Sequence, residues 1–182
     1  KDALTDPVSQ KAFTLIMRYL NLADSATRSV FVELLSSPAF SASLTLDQRT
    51  SAGRALLLIS EGYQNDTVML NKIESVIKIL IDTTANPTEH RAFITALGGI
   101  GLVSKLGANM ISRIIMDVAQ KNPENKALTH DVARAVGLMA GNITDIATAE
   151  RAAAFLGTSL LLGGDVTFKA TILSGLAKLE AL

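Results

Sequence analysis

Apolar residues recur in steps of three and four through most of the chain. Between residues 68 and 84 this apolar stripe lies opposite a charge ladder formed by Glu74, Lys78 and Asp82. Such a period is typical of an amphipathic α-helix that turns one face to a core and the other to water. Residues 108–120 repeat the pattern. The hydrophobic pattern therefore predicts helices rather than strands.

Short segments rich in Asn, Asp, Gly and Pro interrupt the pattern and supply helix stop and cap signals. They predict about nine helices, at residues 10–22, 25–36, 48–62, 68–84, 88–103, 108–120, 126–141, 146–162 and 166–180. The segment 37–45 is predicted to be a longer connection with room for one helical turn. Because the loops between the later helices are short, we expect sequential helices to be antiparallel neighbours.

A motif of small and aliphatic residues recurs along the chain with a period near 40. Its copies lie on every second predicted helix and begin at Arg54, Thr95, Arg134 and Ile172. The last three copies place Gly98, Gly137 and Gly175 in one register. A glycine inside a helix costs about 1 kcal/mol relative to alanine. We therefore expect neighbouring helices to approach closely at these glycines.

Two helices per unit and a period near 40 resemble HEAT and armadillo repeats, over roughly residues 25–180. The chain departs from many such repeats in lacking a proline inside the first helix of each unit. The resemblance implies an all-α fold, an α-α superhelix of about nine antiparallel helices. It implies one domain over residues 1–182, with 1–24 as an N-terminal capping helix and about four helix pairs in 25–182. A tetratricopeptide array is disfavoured because its period is 34.

Composition and charge exclude several classes of protein. The 17 Lys and Arg balance 17 Asp and Glu, so the chain lacks the net positive charge whose electrostatic field attracts nucleic acids and anionic membranes. No cysteine is present, so disulfide frameworks and thiolate metal sites are excluded. The charge-free stretches are shorter than the roughly 20 residues of a membrane span. We expect a soluble helical protein with no transmembrane segment and no nucleic-acid partner, in a compartment that the sequence leaves open.

No residue pattern indicates catalysis. The segment 98–105 is only superficially like a dinucleotide-binding loop, because it ends a helix and Ser104 stands where a third glycine is required. His90 and His130 each lie in the first turn of a predicted helix, without carboxylates at ligand spacing, and are expected to be solvent-exposed. We therefore expect no catalytic residue, no cofactor and no metal.

One surface pattern follows the repeat. Cationic positions recur at its offset and predict a mildly basic strip with the partner-binding residues Arg54, Arg91, His130 and Arg134. Two further basic residues, Arg49 and Lys169, fall within a residue of the same column. Such a strip could bind an acidic peptide or partner helix. The alternative is an ordinary solvated helix face, neutralised locally by Asp47, Glu89, Asp131 and Asp165.

The leading interpretation is a non-enzymatic helical scaffold that binds a protein or peptide partner, which could be acidic. One alternative is an enzyme on a HEAT-like scaffold, such as a nucleic-acid repair activity. Another is a membrane-associated helical domain, suggested by the apolar stretch 152–164. The C-terminal helix is apolar up to Leu182, so we expect either that the natural chain continues or that this end associates with a partner, including end to end.

Overall fold

A computed structural model describes residues 7–20 and 23–180 of the chain. The helices are α1 (Pro7–Tyr19), α2 (Ser25–Leu35), α3 (Pro38–Ala42), α4 (Leu46–Ser60), α5 (Thr67–Asp82), α6 (Pro87–Gly101), α7 (Lys105–Lys121), α8 (Lys126–Met139), α9 (Ile146–Leu160) and α10 (Val166–Leu179). Short 3-10 turns, Glu61–Tyr63 and Ala140–Asn142, follow α4 and α8. The described part of the chain contains no strand, so the prediction of an all-α fold is confirmed.

The described residues contain ten helices where about nine were predicted. The segment expected to be a connection contains α3, whose first residue is Pro38 and whose N-cap is Ser37. Proline at the first helical position loses no intrahelical hydrogen bond, so even five residues can start a helix here. The nine predicted helices all exist, and the ends predicted at described residues lie within three residues of those observed. The predicted end of the first helix, at residue 22, lies outside the described residues.

Side-chain N-caps begin eight of the helices at a regular interval. The caps of α2, α5, α7 and α9 are Asp24, Asp66, Ser104 and Asp145. The caps of α4, α6, α8 and α10 are Thr45, Asn86, Asn125 and Asp165. Each side-chain oxygen accepts a hydrogen bond from a backbone N–H of the first turn, which would otherwise lack a partner. Within each series the caps recur after 38 to 42 residues, so the period seen in the sequence is also a period of helix starts.

The chain forms two compact units, and the boundary between them, after Phe93, falls within α6. In the first unit, α4 packs against α1 and α5, and α5 also contacts α2 and α3. Its core consists of fully buried aliphatic side chains, among them Leu35, Leu56, Ile73, Ile77 and Leu80.

In the second unit, a helix contacts the helix two places away along the chain as well as its immediate sequence neighbours. Helix α8 packs against α7, α9 and α10, and α7 also packs against α9. Polar side chains bridge the same helices: Arg151 on α9 donates from Nη2 to Asp117 Oδ1 of α7 at 2.5 Å. Asn109 of α7 accepts at Oδ1 from the backbone N–H of Thr144, just before α9, at 2.9 Å. Polar side chains therefore add to the packing of α9 on α7, the helix two places before it.

The glycine register lies at these contacts. A Cβ added at Gly98 would lie 2.5 Å from Cβ of Ala135, and one added at Gly175 would lie 2.8 Å from Cα of Gly137. A Cβ on Gly137 would meet the backbone oxygen of Thr171 at 3.1 Å. The end of α6 meets α8, and α8 meets α10, at distances that a larger residue would obstruct. The predicted close approach at the glycines is confirmed.

Candidate functional site

A cleft in the first unit lies between α1 and α4. It encloses about 380 Å³ and is lined by Thr14, Met17, Ser51, Arg54 and Leu58. The three residues from α4 are spaced by three and four positions, which places them on one face of that helix. The apolar part of the lining consists of Met17, which is buried, and Leu58, which is partly exposed.

Arg54 supplies the positive charge of this cleft. Its side chain is exposed and makes no hydrogen bond or ion pair with any described residue. A guanidinium carries five N–H donors in a fixed plane that matches a carboxylate in two parallel hydrogen bonds. The cleft can therefore hold a carboxylate on Arg54 while an apolar group lies against Met17 and Leu58.

Arg91, the second predicted residue, is exposed in the second turn of α6 and belongs to the first unit. Its neighbour His90 is half-buried, so the expectation that this histidine is solvent-exposed is wrong. Burial lowers the pKa of His90, because the protonated ring loses solvation, and the charge of Asp82 opposes this effect.

His130 and Arg134 lie one turn apart on α8, in the second unit. Arg134 is exposed, but His130 is half-buried, and its ring stacks on that of Phe168 with 4.4 Å between ring centroids and 17° between planes. The expectation of a solvent-exposed histidine is wrong here too, because α10 covers one side of the ring. His130 contributes to the packing of α8 on α10.

Arg49 was expected beside the basic strip, and this prediction is wrong. Only 3% of the residue is exposed. Its Nη1 donates to the Leu80 carbonyl and the Thr83 hydroxyl, both at 2.8 Å, and its Nη2 donates to the Thr83 carbonyl at 3.2 Å. Nε donates to the carbonyl of Leu44 at 3.1 Å. Burial lowers the pKa of Arg49, while the charge of Glu89 opposes the shift. The guanidinium satisfies carbonyls at the end of α5, where helices leave them unpaired.

The structure groups the predicted residues in part. It brings His130 and Arg134 together on one helix, and it places Arg54 and Arg91 on two helices of the first unit. The sequence did not indicate Thr14 and Met17, because nothing local shows that α1 packs on α4. The spacing of Ser51, Arg54 and Leu58 on one helix face was a usable signal for the other half of the cleft.

Among the described residues no group of three or more histidines, aspartates and glutamates could hold a metal ion. Within the same residues no helix has the length and apolar character needed to cross a bilayer. The segment 98–105 is the end of α6 and the start of α7, where Ser104 caps the new helix by accepting from the N–H of Gly107 at 2.8 Å. Ser104 has a helix-capping role here.

The chain matches no protein-family model, no curated protein and no solved structure.

Proposed function

We propose that the chain is a non-enzymatic helical repeat scaffold, similar in architecture to HEAT and armadillo repeats, that binds an acidic protein or peptide segment. The observation that carries this proposal is the stacking of every second helix at small residues in the second unit, with helix caps that recur every 38 to 42 residues. Repeats that stack in this way commonly serve as binding surfaces.

The proposed contact is the cleft beside Arg54. Its cation forms no ion pair with a described residue, and the cleft encloses about 380 Å³ beside an apolar lining. A segment that combines an acidic residue with an apolar one fits both features. Arg91, His130 and Arg134 are proposed as further contacts within their own units. His130 would act through the part of its side chain that remains exposed.

The test starts from a library of random peptides displayed on phage and selected on the 182-residue chain. We expect the enriched peptides to pair Asp or Glu with an apolar residue. The affinity of one enriched peptide is then measured by fluorescence anisotropy for the wild type, for Arg54→Glu and for the control Lys105→Glu. Both variants change the net charge equally, and Lys105 is exposed at the first position of α7, where an acid suits the helix dipole.

We expect Arg54→Glu to weaken peptide binding at least tenfold, which corresponds to roughly 1.4 kcal/mol. Lys105→Glu should bind as the wild type does, and both variants should retain the wild-type circular dichroism, because exposed substitutions rarely disturb a fold. Added salt should weaken the wild-type complex, since exposed charges are screened. Enrichment of peptides without acidic residues, or equal affinity of the two variants, would contradict the proposal.

A further inference from the structure

An apolar strip runs along the outer side of α10. It consists of Val166, Ala170, Leu173 and Ala177, all exposed and spaced by four, three and four residues. Val166 is 86% exposed and Leu173 is 56% exposed. Residues at this spacing share one side of a helix, and in folded proteins such a side is usually covered by another element.

The equivalent positions on α8 indicate what kind of element covers such a strip. Counted from the helix caps, the last three residues of the strip correspond to His130, Ala133 and Gly137. In α8 these positions face a helix: the ring of His130 stacks on α10, Ala133 is fully buried, and Gly137 lies against Thr171. The strip on α10 therefore has the register of a helix-packing surface.

Two opposite charges flank the strip on one side. Lys169 and Glu180 are eleven residues apart, close to three helical turns, and neither forms an ion pair with a described residue. When two identical helices pack antiparallel, their corresponding sides face each other. If Leu173 packs against Ala177 of a second copy, then Lys169 of each copy lies beside Glu180 of the other. The two-fold symmetry makes this ion pair twice.

We propose that a second copy of this chain docks on the Leu173 and Ala177 end of the strip, with the two α10 helices antiparallel and Val166 beyond their overlap. The interface is isologous, since the same residues contribute from both copies. It uses none of the residues of the Arg54 cleft, so it stands apart from the proposed peptide binding.

Sedimentation equilibrium of the 182-residue chain at increasing concentration provides the first test. We expect the average mass to rise from 19.2 kDa towards twice that value and to stop there. Leu173→Lys should remain at the monomer mass, because it buries a charge in the interface. The control Leu138→Lys changes a residue of similar exposure on α8. This variant should still dimerise, so its average mass should double. Circular dichroism confirms that both variants are folded.

A charge exchange tests the antiparallel register. Neither Lys169→Glu nor Glu180→Lys should dimerise on its own. In a dimer of either variant, residues 169 and 180 carry the same charge and would face each other twice. An equimolar mixture of the two variants should recover dimer, since each copy then offers the charge that the other lacks. A wild-type chain that stays monomeric, growth beyond a dimer, or a mixture that recovers nothing would each overturn the proposal.

Discussion

Gly98 and Gly99 are adjacent residues of α6 with opposite surroundings. A Cβ on Gly98 would lie 2.5 Å from Cβ of Ala135, whereas a Cβ on Gly99 would have no neighbour within 4 Å. The two glycines have the same intrinsic cost in a helix, so any difference between their alanine variants measures the contact with α8.

We predict that Gly99→Ala raises the free energy of unfolding by about 0.5–1 kcal/mol, through helix propensity alone. Gly98→Ala should lower it by about 1–3 kcal/mol, because the added methyl overpacks the contact by more than the propensity gain offsets. Urea unfolding followed by circular dichroism measures both values. Equal stabilisation by the two substitutions would show that α6 does not approach α8 at this point.

Single residues differ in how far the sequence could predict them. The close approach at Gly98 and Gly137 was predictable, because a costly residue at the same distance from two helix caps indicates a tertiary contact. Gly175 stands two residues nearer its own cap and meets Gly137 from the opposite side. The burial of Arg49 was not, because its partners Leu80 and Thr83 lie on another helix whose end reaches it only in the folded unit. The stacking of His130 on Phe168 was missed for the same reason.

At the scale of helices, boundaries were predictable because caps are local. A side chain such as Asp165 or Asn125 bonds to a backbone N–H three residues ahead, so the signal and the structure lie in the same short segment. Helix α3 was not predicted as a separate helix, since five residues are too few to show a helical period.

Arg49 joins two elements, the first turn of α4 and the end of α5. We predict that Arg49→Met lowers the free energy of unfolding by about 2–4 kcal/mol, because the carbonyls of Leu44 and Thr83 lose their guanidinium donor and that of Leu80 keeps only the Thr84 hydroxyl. Arg54→Met on the same helix is the matched control, and we expect it to change stability by no more than about 0.5 kcal/mol, since this side chain is exposed. Urea unfolding at neutral pH compares the two. A loss no larger for Arg49 than for Arg54 would exclude a stabilising link between α4 and α5.

At the scale of the whole molecule, the sequence predicted an all-α chain with a regular period, because periodicity and composition are global properties. It could not predict the cleft beside Arg54, since one wall comes from α1 and depends on how that helix packs on α4. Grouping four basic residues into one strip assumed that equal positions in the repeat share one environment. His130 shows the weakness of that assumption, because α10 covers a ring that the sequence placed in solvent.

The proposed repeat architecture depends on the second unit, where α8 packs against α6, and α10 against α8, at glycine. Gly137 and Gly175 test it most directly, because a Cβ on Gly175 would lie 2.8 Å from Cα of the other glycine. The chain contains only 12 glycines, so selective ¹³C labelling of glycine gives a simple NMR spectrum. We predict a strong nuclear Overhauser effect between the α-protons of Gly137 and Gly175. If both residues are assigned and no such effect is observed, α8 and α10 do not pack at these glycines and the repeat architecture is contradicted.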